Sequence, residues 1–79
     1  MDEIPGLKKA DWNLLRNAVL SAQFTDEYIK KIPQRLQEHP VAILIRKYRT
    51  TKYMGHLNKA AKLLAGGIAN PWLYLEKGG

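Results

Sequence analysis

Val41-Ala42-Ile43-Leu44-Ile45-Arg46-Lys47-Tyr48-Arg49 admits two readings, and each leads to a different fold. Its β-branched content suggests a buried strand. Its apolar positions Val41, Leu44, Ile45 and Tyr48 also repeat at i, i+3, i+4 and i+7, the spacing of one helical face. A strand needs a partner, and no second strand-like run occurs in the chain. Pro40, directly before the stretch, brings the fixed φ that opens a helix. The helical reading wins, and the protein becomes all-α.

Working outward, His39-Pro40 ends the preceding segment, because a residue before proline is pushed out of the helical region. His39 there reads as an exposed turn residue. Upstream of it, Tyr28, Ile29, Ile32 and Leu36 share one stripe. Thr25 is placed to cap that segment, with Asp26 and Glu27 in its first turn and Phe24 expected to staple against Ile29. Pro33 interrupts the stripe. Either the helix kinks there, or it ends near Lys31 and a short new helix starts with Pro33 in its first turn. Earlier still, Trp12, Leu15, Val19 and Ala22 mark an amphipathic helix from about Lys8 to Ala22, with Asp11, Asn13, Arg16 and Asn17 on the opposite face. Asp11 near its start suits the positive end of the helix dipole.

Downstream, Thr50 and Thr51 offer the next cap. Tyr53, Leu57, Ala60, Ala61 and Leu64 form a helical stripe that stops at Gly66-Gly67. Asn70-Pro71 then opens a short helix, Trp72-Leu73-Tyr74-Leu75. The expectation is a compact bundle of four to five short helices with a helix-turn-helix-like pair. One domain spans residues 1–77, and residues 78–79 read as linker.

Composition removes whole classes of function. Hydrophobic residues make up 46% and charged ones 25% of the 79 residues, the balance of a folded globular chain. There is no cysteine, hence no disulfide, thiolate metal site or thiol nucleophile. The longest apolar run, Val41 to Ile45, is far short of the ~20 residues a membrane span needs. The acidic N-terminus lacks the apolar core of a secretory signal, which points to the cytoplasm. His39 and His56 have no companions at metal-ligand spacing. Ser21 is the only serine and lies in no G-x-S-x-G turn, and Gly66-Gly67 is not followed by Lys-Ser/Thr. No catalytic residue, cofactor, metal or small-molecule substrate is expected.

The charge points elsewhere. Thirteen Lys and Arg against seven Asp and Glu give a net charge of +6, distributed unevenly. From Glu38 to Glu76 no other carboxylate occurs, yet Arg46, Lys47, Arg49, Lys52, Lys59 and Lys62 all fall in that interval. Such asymmetry is the footprint of a surface facing a polyanion. Lys52, His56 and Lys59 follow at spacings of four and three and are expected to share one helix face, thinned at Gly55. Thr51 and the N–H groups at the helix start are placed to hold a phosphate oxygen. Two helices in a tight turn, the second carrying Lys, His and Asn outward, suggest a duplex-DNA reader. In it Arg46, Lys47, Arg49, Lys59 and Lys62 meet phosphates, and Lys52 and His56 reach base edges or a groove. A lysine-rich outer face is also what plain solvated surface looks like, and the missing carboxylates tip the balance toward binding.

Aromatic residues carry a second theme. Tyr48 and Tyr53 lie among the cations at positions suited to stacking on bases, but both fall on apolar stripes and read first as core or core-edge residues. Trp12 reads as a core anchor. Trp72 and Tyr74 either close the core or leave an aromatic patch for a protein partner. Gly67-Ile68-Ala69-Asn70-Pro71-Trp72-Leu73-Tyr74-Leu75 resembles the I-x-N-P-x-x-Y-L ending of helical modules in DnaD-like and plasmid or phage replication-initiation proteins. That resemblance covers about nine residues and stops short of the downstream helix. It implies DNA replication as the setting and a role for Tyr74 and Leu75 in docking the last helix.

The sequence therefore favours a non-enzymatic nucleic-acid-binding module of a replication, mobile-element or regulatory protein. The alternative is an adaptor for an acidic, replication or transcription partner, engaged through the basic face or through Trp72 and Tyr74. Resting on an anionic membrane is the weakest reading, because no helix combines a bulky apolar face with a dense basic one.

Overall fold

The computed structural model describes residues 7–77, and among them the secondary structure is entirely helical. Five α-helices, α1 (Lys9–Ser21), α2 (Glu27–Lys30), α3 (Pro40–Thr51), α4 (Met54–Ala65) and α5 (Pro71–Glu76), form the bundle, with a 3-10 turn, Gln34–Leu36, between α2 and α3. The stretch that opened the question of fold lies wholly inside α3. Pro40 holds its first turn, and Val41, Ala42, Ile45 and Tyr48 face the core. Residues 1–6, and residues 78–79 that read as linker, lie outside the described residues.

Leu15 and Val19 of α1 meet Val41 and Ile45 of α3, Leu57 and Leu64 of α4, and Leu75 of α5 in one fully buried cluster. Each such side chain contributes about 1.5–3 kcal/mol on leaving water. Polar anchors fix how the helices cross. The Trp12 indole Nε1 donates to the Leu64 carbonyl at 2.9 Å, and Arg16 Nη1 donates to the Leu75 carbonyl at 3.0 Å. Both acceptors lie in the last turn of a helix, where carbonyls have no partner within the helix. Thus α1 closes the C-terminal ends of α4 and α5 with side chains one turn apart. Trp72 Nε1, donating to Asn58 Oδ1 at 3.0 Å, pins α5 against α4 from the other side.

Several local expectations change. The Pro33 alternatives resolve as a break: α2 stops at Lys30, and Pro33, in extended backbone, leads into the 3-10 turn. Phe24 does not staple against Ile29; it is 83% exposed, while Ile29 packs on the core without it. Phe24 sits in the turn that closes on the Ser21 carbonyl, which carries its side chain away from the bundle. His39 is half-buried rather than an exposed turn residue, and its Nδ1 accepts the Val41 N–H at 3.2 Å as the cap of α3. Burial holds its pKa below the ordinary histidine value, which keeps the accepting nitrogen free of a proton.

Asp11 is the largest departure. Its helical spacing puts it on the face opposite the apolar stripe, yet it is only 5% exposed. The Arg35 guanidinium reaches it from the 3-10 turn with two parallel bonds of 2.6 and 2.7 Å. That bidentate pairing, opposed by burial, keeps the Asp11 carboxyl below the usual range. The pair ties the 3-10 turn to α1.

Candidate nucleic-acid interface

The connection between α3 and α4 gives the candidate surface its shape. Helix α3 runs two residues past Arg49, so Thr51 is its last residue and not the cap of α4. The Thr51 hydroxyl donates to the Lys47 carbonyl at 2.8 Å and accepts the Tyr53 N–H at 3.2 Å, bracing the turn. Lys52 follows with φ 60° and ψ 19°, in the left-handed region, and ends α3 through its N–H on the Tyr48 carbonyl. Glycine is the usual residue at such a C-cap, since other L-residues lose roughly 1–2 kcal/mol there. Lysine stands in its place, with Nζ 5.9 Å from the centroid of the Tyr48 ring.

This geometry divides the residues expected at the site into groups. Arg46 and Lys47 share the outer side of α3 with Ile43, Thr50 and Thr51, lining a shallow open groove of about 450 Å³. Lys59 and Lys62 are exposed one turn apart on α4, opposite its buried positions Leu57, Ala60, Ala61 and Leu64. Lys52 is not on α4, so the single face proposed for Lys52, His56 and Lys59 reduces to His56 and Lys59. The turn takes the residues before Met54 out of the helical register. His56 is half-buried, and its ring meets Tyr53 edge-on with centroids 5.2 Å apart.

Arg49 is committed elsewhere. It pairs with Asp26 and donates to the Ala22 carbonyl, locking α3 to the turn after α1. It is therefore left out of the phosphate-facing set. Asp26 was counted only as a first-turn residue of the second helix; its partner lies 23 positions on, beyond the reach of any local pattern.

The two tyrosines separate. Tyr48 is buried as expected, whereas Tyr53 is 65% exposed. It precedes the first residue of α4 in extended backbone, off the stripe that Leu57, Ala60 and Leu64 continue. Trp72 and Tyr74 are half-buried and packed on the core, Tyr74 edge-on to Trp12 at 6.2 Å. Leu75, beside them, is fully buried, and the apolar α5 residue left open to solvent is Leu73. A protein contact through α5 would therefore run across Leu73 rather than across the two aromatic rings.

Among the described residues the ion pairs are Lys31–Glu27, Arg35–Asp11 and Arg49–Asp26. None of them involves Arg46, Lys47, Lys52, Lys59 or Lys62, all of which are exposed. Arg46 meets only the neutral side chain of Gln37, at 3.2 Å. The three paired carboxylates, Asp11, Asp26 and Glu27, lie on α1 and at the start of α2, and no ion pair among the described residues offsets the cations on the outer sides of α3 and α4. No described helix is long and apolar enough to cross a membrane. No family model matches the chain, and neither does any curated protein or solved structure.

Proposed function

We propose that this chain is a non-enzymatic, cytoplasmic nucleic-acid-binding module, directed at duplex DNA and serving a replication, mobile-element or regulatory protein. The observation that carries the reading is the set of five exposed cations on α3, the turn and α4, with no carboxylate among the described residues paired to any of them. Plain solvated surface tends to intersperse both signs, because uncompensated like charge repels itself. Retaining it on two adjoining helices is favourable when a polyanion supplies the counter-charge and releases its own condensed ions.

In this reading Arg46 and Lys47 flank the groove on α3 and contact one run of phosphates. Lys59 and Lys62 contact another from α4, and Lys52, in the turn between them and next to His56 in the first turn of α4, supplies a fifth phosphate contact in place of Arg49. Thr50 adds a hydroxyl group at the groove wall, whereas the Thr51 hydroxyl is committed to the turn. Phosphate contacts position a protein without reading sequence. Replacing Lys59 and Lys62 together by Gln therefore weakens binding to unrelated duplex sequences by the same factor, measured by fluorescence anisotropy. Unchanged affinity in that double variant, with the fold intact, would remove α4 from the interface.

A further inference from the structure

We infer that Tyr53 is a stacking platform for an unpaired base, so that the module prefers DNA in which duplex meets single strand. The inference rests on the nucleic-acid reading above and specifies which form of DNA the surface selects.

Three observations converge on this side chain. The first is exposure: Tyr53 is the most exposed aromatic of the α3–α4 unit and stands directly beside Lys52. The second is how the ring is held. It lies over Gly55, where an added Cβ would come within 2.4 Å of the tyrosine Cε2 and 2.8 Å of its Cζ. The His56 ring braces it edge-on at an interplanar angle of 82°. The ring is thus positioned without being buried, and it forgoes the stabilisation that burying an aromatic provides.

The third observation is that the chain departs from local preference at two successive residues. Tyr53 occupies the N-cap of α4 and makes no side-chain capping bond, where Ser, Thr, Asp or Asn would supply one. Lys52 occupies a left-handed position that favours glycine. Adjacent residues that each weaken the fold are expected where a binding site imposes its own demands. Here they set an exposed lysine and an exposed aromatic ring at consecutive positions of the turn that joins α3 to α4. Within a duplex each base already has stacking partners on both faces, so such a ring gains only from a base that is unpaired. Base–aromatic stacking accounts for about 5- to 150-fold in affinity per base.

The test uses the full chain and three probes: a blunt duplex, the same duplex with a short single-stranded extension, and that extension made abasic. Anisotropy titrations at one salt concentration should show the extended duplex bound about tenfold more tightly than the other two. Tyr53→Ser should erase that preference and leave blunt-duplex affinity unchanged, while its new capping hydroxyl keeps or raises the melting temperature. Tyr53→Phe should retain the preference. Gly55→Ala, which displaces the ring without removing it, should reduce it. Equal binding of the extended and abasic probes by the unaltered chain, or a preference that survives Tyr53→Ser, would overturn the inference while leaving the duplex reading intact. Failure to bind any of the three probes would overturn both.

Discussion

Arg49 and the lysines of α4 carry the same charge but are assigned opposite roles, and substitution separates the two. Arg49 donates to the carbonyl of fully buried Ala22 and pairs with Asp26, whose side chain is about half exposed. A hydrogen bond from a charged donor contributes about 1.5–3 kcal/mol. A partly exposed ion pair adds about 0.5 kcal/mol. Arg49→Gln, which is too short to serve both partners, should therefore cost about 2 kcal/mol. For a domain of this size each kcal/mol moves the melting temperature by about 4–8 °C, so the expected fall is about 8–16 °C. Well below that melting point, the slope of log affinity against log salt should match the unaltered chain, because no phosphate contact has been lost. Lys59→Gln with Lys62→Gln should do the reverse. Stability stays within about 0.5 kcal/mol, and the slope shrinks by about 1.8, or 0.9 per phosphate released. Thermal melts followed by circular dichroism and anisotropy titrations at several salt concentrations give both quantities. An Arg49→Gln protein that melts unchanged and loses about 0.9 of slope would show that Arg49 faces the nucleic acid and that its intramolecular bonds do not hold.

Other substitutions probe the frame around this surface. Trp12→Phe removes the donor to the Leu64 carbonyl and leaves that acceptor in the last turn of α4 without its partner, at a cost of about 1–3 kcal/mol in chemical denaturation. Lys52→Gly relieves the left-handed backbone and forfeits only a long cation–π contact. It should gain about 0.5–1 kcal/mol of stability while shrinking the salt slope by about 0.9, and a less stable variant would contradict the strain assigned to that residue. His39 has a depressed pKa in the folded state, so its contribution is complete above the ordinary histidine value and declines as pH falls below it. The melting temperature should begin to drop as the pH falls below about 6.5. His39→Asn, which keeps a capping oxygen that does not titrate, should flatten that segment of the profile.

Residues close in sequence disclosed the helices, and residues far apart set their arrangement. Val41, Leu44, Ile45 and Tyr48 marked α3 by their period once the chain offered no strand partner, and Pro40, Gly66 and Asn70-Pro71 marked helix ends, since these are local backbone properties. Asp11 with Arg35, Trp12 with Leu64, and Arg49 with Asp26 were illegible, because a helical period reports which side faces inward and not what stands across from it. Tyr53 was misplaced for a related reason. Its spacing to Leu57 fits a stripe only if the helix already includes it, and the left-handed turn at Lys52 excludes it. His39 offered a usable signal, as the residue before a first-turn proline occupies the cap, but an imidazole is not among the usual capping side chains. At the candidate surface, the absence of carboxylates between Glu38 and Glu76 pointed to the stretch whose exposed cations have no ion-pair partner among the described residues. The loss of Arg49 to an intramolecular pair needed the fold.

The affinity of the full chain for a short mixed-sequence duplex, measured at salt concentrations between about 50 and 200 mM, tests the central claim most directly. Five exposed cations without acidic partners among the described residues predict a log–log slope of about −4 to −5. A slope near zero, or no measurable binding at the lowest salt, would contradict it.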